Sequence, residues 1–120
     1  MKKIILCFLI ILIFPVYADN ELNRSRYFLK NYGISYCLAT FSLNAEIKND
    51  AGHAESFYFQ SGKHHGDAYQ AVSDFMKKEF PKMTVTDSAN NPLIFYKCLE
   101  LYHSKKYNRF ILQLDKYYLK

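Results

Sequence analysis

The chain has 120 residues, half of them hydrophobic and 18% aromatic, with a formal net charge of +5. That length fits one small domain, and the basic residues are too scattered to argue for nucleic acid as a partner. There is no low-complexity tract, no internal repeat, and after the N-terminal run no apolar stretch approaching the roughly 20 residues that a membrane span needs.

Met1-Lys2-Lys3 forms a short positive head, Ile4 to Phe14 an apolar run, and Val16-Tyr17-Ala18 places small residues before Asp19. This is the pattern of a cleaved secretory signal, with the cut expected between Ala18 and Asp19. The run is too short to span a membrane, and Cys7 lies too early in it for a lipoprotein signal. Loss of Lys2 and Lys3 takes the basic residues from 16 to 14, so against 11 acidic ones the expected mature chain 19–120 carries +3. Its expected compartment is the periplasm, where thiols oxidise, with no membrane segment in the mature form.

Asp19 to Ser25 is polar and is expected to fray. From Arg26 to Ser42 the period is helical, with Tyr27, Ile34, Cys37, Leu38 and Phe41 on one face. Gly33 interrupts it at a cost of about 1 kcal/mol, which suggests a late helix start or a close backbone approach. Asn44 is placed to cap a second helix carrying Ile47, Ala51, Ala54 and Tyr58, ended by Ser61-Gly62 with the glycine left-handed. Lys63 to Gly66 reads as a solvated connector. Asp67 reads as the cap of a third helix on which Ala68, Val72, Phe75, Met76 and Phe80 align, stopped by Pro81.

Lys82 to Asn91 is the longest segment without an apolar period. Asn91 and Pro92 look like the cap and first turn of a fourth helix, with Ile94, Cys98, Leu101 and Tyr102 on its stripe. Ser104 then caps a fifth helix bearing Tyr107, Phe110, Ile111, Leu114 and Tyr118. The fold class expected is all-α, a compact bundle of about five helices with short connections.

The chemistry-bearing residues point away from catalysis. Once Cys7 is removed, Cys37 and Cys98 are the two cysteines of an exported domain, and both lie on core-facing stripes. Their pairing as a disulfide is expected, worth roughly 4 kcal/mol for a loop of about 60 residues. A Cys-His nucleophile is disfavoured, since each thiol sits on an apolar face where its thiolate is costly. His53, His64, His65 and His103 lack metal-ligand spacing and read as solvated, so no metal or other cofactor is expected. Glu46, Asp50, Glu55, Asp67, Asp74 and Glu79 read as solvated charges. There is no phosphate loop, nucleophile elbow or dinucleotide fingerprint. No catalytic residue is assigned, and a binding protein is expected rather than an enzyme.

Four strings carry a resemblance: Tyr-Gly-Ile-Ser-Tyr-Cys-Leu-Ala (32–39), Ile-Lys-Asn-Asp-Ala (47–51), Asp-Ala-Tyr-Gln-Ala (67–71) and Lys-Cys-Leu-Glu-Leu-Tyr-His-Ser-Lys (97–105). In their order and spacing, and with the export signal, the chain resembles the immunity proteins that neutralise type VI secreted peptidoglycan amidases. The resemblance covers about Tyr32 to Tyr118 and implies a periplasmic, all-helical, non-catalytic protein, commonly a homodimer. It implies binding to an NlpC/P60-type cysteine amidase and inhibition by blocking the catalytic cleft. Cys37 and Cys98 match the family's cysteine pair, while no family contact residue is carried onto 81–92. The alternatives are another periplasmic inhibitor or adaptor, for example of lysozyme, or a small-ligand carrier or enzyme.

Two further expectations concern partners. Phe57, Phe59, Tyr107 and Tyr117 lie off or beside the main stripes, and leftover aromatic surface suggests a homodimer interface. The segment Lys82–Asn91 is long for a small bundle, polar at its tip, and held by Pro81 and Pro92. Lys82, Thr84, Thr86, Asp87, Ser88, Asn90 and Asn91 are therefore the candidate partner-binding residues.

Overall fold

The computed structural model describes residues 2–120, with side chains described from Asn20 onward. The expected signal segment 1–18 and the cut between Ala18 and Asp19 lie outside the described side chains. Among the described residues there are five α-helices: α1 (Lys2–Phe41), α2 (Ala45–Ser61), α3 (Gly66–Glu79), α4 (Ile94–His103) and α5 (Lys105–Gln113). Single 3-10 turns, Phe80–Lys82 and Leu114–Tyr117, extend α3 and α5. No strand occurs among these residues, although His64 and Tyr118 form one isolated antiparallel bridge. The expected all-α class is the class observed.

The spine is α1, which touches all four other helices. It does not fray where expected: 20–25 is helical and Ser25 is buried. Its buried face is also rotated from the expected one. Tyr27 is 57% exposed, whereas Leu29, Tyr32 and Cys37 are buried. Gly33 is explained by neither a late helix start nor a backbone approach. A Cβ on it would stand 1.9 Å from the Tyr107 hydroxyl. Tyr107 is fully buried there and donates its O–H to the Lys30 carbonyl at 2.9 Å, so it is a core residue and not interface surface.

Asn44 caps α2 as its position predicts, accepting from the Ile47 N–H at 3.0 Å. Only Ala51 of this helix is buried, and Ile47 on the expected stripe is 48% exposed. Gly62 ends α2 in extended backbone, φ −86°, rather than left-handed. It is needed for space, since a Cβ there would lie 2.0 Å from the Tyr69 hydroxyl.

The third helix has the expected period, with Ala68, Val72, Phe75 and Met76 buried. Its cap is His65 and not Asp67: His65 Nδ1 accepts from the Asp67 N–H at 3.1 Å, and Asp67 sits in the first turn, where a carboxylate suits the helix dipole. Ser104 caps α5, accepting from the Tyr107 N–H at 3.1 Å. Cys37 and Cys98 are both fully buried and bonded, with Cα atoms 5.8 Å apart, and tie α1 to α4.

The fourth helix starts later than Asn91-Pro92 suggests. Its first residue is Ile94, and Leu93 precedes it at φ 46°. Asn91 is committed elsewhere, to the loop described below. Glu79, expected as a solvated charge, is covered instead. Its carboxylate accepts from Lys106 at 2.6 Å and Lys82 at 3.1 Å, and Lys106 first, then Lys82, hold it below the ordinary carboxylate value against the cost of burial.

Candidate partner-binding site

Every residue from Thr84 to Pro92 is exposed. The segment is nonetheless ordered by its own atoms. Asp87 Oδ1 accepts from the N–H groups of Ala89 and Asn91, each at 2.9 Å, and Oδ2 accepts from the Asn91 side-chain amide at 2.8 Å. Asn90 N–H donates to the Asp87 carbonyl at 3.0 Å and takes φ 61°, a conformation asparagine tolerates. These bonds, the Asn91 side chain foremost, stabilise the ionised Asp87 and lower its pKa. They also occupy the Asn91 backbone, which is why the helix begins beyond Pro92.

The roots of the loop are fixed. On one side Phe80 stacks on Phe41 at the end of α1, with ring centroids 3.9 Å apart, and Lys97 Nζ lies 5.5 Å from the Phe80 ring. On the other side the chain enters α4, which the disulfide holds to α1. A long loop with a self-bonded tip and anchored ends loses little freedom on meeting a partner.

Of the candidate residues, Thr84, Thr86 and Ser88 are exposed along this loop, and Asp87, Asn90 and Asn91 build its turn. Lys82, also exposed, stands at the root of the loop. It closes the 3-10 turn and is engaged with Glu79. Phe57 and Phe59 are 61% and 50% exposed, as leftover aromatic surface requires, and Tyr117 is partly buried.

Two features had no signal in the sequence. One is a groove of about 660 Å³ between α3 and α5, in which Phe75 and Phe110 stack at 4.8 Å beneath Asp74, Lys78 and Arg109. The other is a polar clasp. The Lys63 N–H donates to Ser25 Oγ at 2.7 Å, and that oxygen lies 2.7 Å from His64 Nδ1. His64 Nε2 is 3.7 Å from Asp115, which Arg26 grips through Nε and a terminal nitrogen. His64 is therefore buried, against the expectation that all four histidines are solvated; His53, His65 and His103 are exposed.

A carboxylate facing Nε2 favours the ring proton there and directs the Ser25 hydroxyl proton to Nδ1. Burial lowers the His64 pKa below its ordinary value, more than Asp115 raises it. Arg26 holds Asp115 low. Ser25, His64 and Asp115 share residue types with a hydrolase triad, but Ser25 is 2% exposed and the Lys63 N–H already binds its oxygen. The trio joins α1, the α2–α3 connector and the C-terminal tail, and its chemistry is structural. Among the described residues no group of three or more His, Cys, Asp or Glu is placed to hold a metal ion. Among them, too, no helix is long and apolar enough to cross a membrane.

No curated protein matches the chain. Residues 27–111, well over half of it, match the Tai4 family, described as type VI secretion system (T6SS) amidase immunity proteins. The matched region contains the disulfide, the loop, the whole of α2, α3 and α4 and parts of α1 and α5, and the chain belongs to the Tai4 family of T6SS amidase immunity proteins.

Proposed function

We propose that the mature protein acts in the periplasm, without chemistry of its own, as the inhibitor of an NlpC/P60-type peptidoglycan amidase. The loop Lys82–Asn91 is its inhibitory element, entering or covering the enzyme's catalytic cleft. The observation that carries this reading is the loop itself: it is fully exposed at its tip, yet ordered by Asp87 and rooted at both ends. A cleft that grips a peptide offers donors and acceptors, and Thr84, Thr86, Ser88 and Asn90 present matching groups. Family membership supplies the class of partner.

The working form is a homodimer. Support comes from Tyr27 and Phe57, which are 57% and 61% exposed and flank the packed pair Phe28 and Tyr58. The reading also includes removal of 1–18 on export.

The test replaces 84–90 by a Gly-Ser link, checks that helicity is retained, and measures amidase inhibition and binding. Loss of inhibition by about 100-fold or more is expected, the size of effect seen when a central anchor is removed. Full protection of cells by the shortened protein would move the contact to the α3–α5 groove.

A further inference from the structure

Away from the loop, a hollow of about 240 Å³ opens between α1 and α2, lined by Tyr32, Glu55, Ser56, Phe59 and Gln60. Two of the five lining residues, Tyr32 and Phe59, are aromatic, and three are polar. Tyr69 meets Tyr32 edge-on with centroids 5.0 Å apart and meets Phe59 at 4.9 Å, and Tyr36 stacks on Tyr32 at 6.3 Å. Glu55 is half-buried among these rings. Among the described residues no cation lies within ion-pair distance of it. Its hydrogen-bonding neighbour is Tyr32, whose hydroxyl also lies 3.0 Å from Ser73 Oγ.

A carboxylate partly removed from water without a counter-charge is unfavourable. Burial accordingly raises the Glu55 pKa, with the Tyr32 hydroxyl beside it pulling the other way. The combination of two aromatic side chains with one carboxylate suits a cation carrying an apolar stem. We propose that this hollow is a socket for an alkylammonium or guanidinium group, with the stem against Tyr32 and Phe59 and the charge on Glu55. A lysine or arginine side chain of a bound protein and a free small amine share this chemistry.

The test is an NMR titration of the mature protein with n-butylammonium, using n-butanol as the neutral isostere. Saturable shifts of the Tyr32 and Phe59 ring signals are expected from the ammonium and not from the alcohol. Glu55→Gln should weaken the binding at least about tenfold, as loss of a partly desolvated charge partner does. Phe59→Ala, at a ring 50% exposed and so tolerant of truncation, should also weaken it. Absence of saturation, equal shifts from butanol, or undiminished binding by Glu55→Gln would each overturn the socket. No amidase is present in this titration, so its outcome is independent of the proposed function. With butylammonium binding established, affinity for the amidase separates the sources. Weaker binding by Glu55→Gln assigns the socket to a partner's lysine or arginine, and unchanged binding assigns it to a small amine.

Discussion

The connectors Gly62–His65 and Met83–Leu93 are both polar and lie between the same kinds of helix, yet they end in opposite environments. The first is drawn inward. Ser25 accepts from Lys63, His64 is buried facing Asp115, and the tail pairs with the connector, His65 N–H to the Tyr117 carbonyl at 2.7 Å and Leu119 N–H to the Lys63 carbonyl at 2.9 Å. The second receives no such partners and satisfies itself through Asp87. Polarity alone therefore does not place a connector at the surface. What decides is whether distant elements supply hydrogen-bond partners, and only the connector without them keeps polar groups free for another protein.

The harshest way to break this contrast is to free the far root of the exposed loop. Replacing Cys37 and Cys98 together by alanine should cost roughly 3–4 kcal/mol, the loop-closure value for a crosslink of this span less any strain. Chemical denaturation reads the loss, and amidase affinity should fall far less than stability, because the Asp87 turn survives. Next comes the buried connector. Ser25→Ala leaves the Lys63 N–H and His64 Nδ1 without their partner and should cost about 1–3 kcal/mol in a thermal or denaturant melt, with amidase binding unchanged at temperatures where the variant is folded.

A smaller effect should follow pH. His64 has a folded pKa below its ordinary value of 6.5. Between the two values the unfolded chain binds more protons, so stability is full above about pH 6.5 and falls as the pH drops toward the folded value. His64→Gln should flatten that part of the melting-temperature profile. The carboxylates of Asp115 and Glu79 are held low, and their contributions are lost only at more acid pH, below the ordinary carboxylate range. The smallest effect on stability belongs to Asp87→Ala. The melting temperature should fall only slightly, while amidase affinity drops about tenfold as the turn loses its preorganisation.

The helices that pack by local period were legible from sequence. The stripe Ala68, Val72, Phe75 and Met76 on α3 is buried as read, and the cysteine pair is bonded. What escaped depended on residues far apart in the chain. Ser25 and His64 are 39 residues apart and Arg26 and Asp115 are 89 apart, so no local pattern marks them as a buried cluster. Gly33 and Gly62 look like helix interruptions, but each makes room for a tyrosine hydroxyl from another helix. The start of α4 is not legible from local sequence because the Asp87 turn takes the Asn91 backbone that a helix cap would need. In the candidate site the loop's length and polarity were readable, whereas its internal order and the engagement of Lys82 by Glu79 were not.

The most direct measurement is amide hydrogen exchange of the protein, alone and saturated with a T6SS amidase. Free, the amides of 84–86 and Ser88 should exchange fast and those of Lys63 and His65 slowly, since the latter two are hydrogen-bonded in the clasp. On binding, strong new protection is expected at 84–91, with Lys63 and His65 unchanged. New protection confined to the α3–α5 face, with 84–91 still fast, would contradict the assignment of the exposed connector as the inhibitory element.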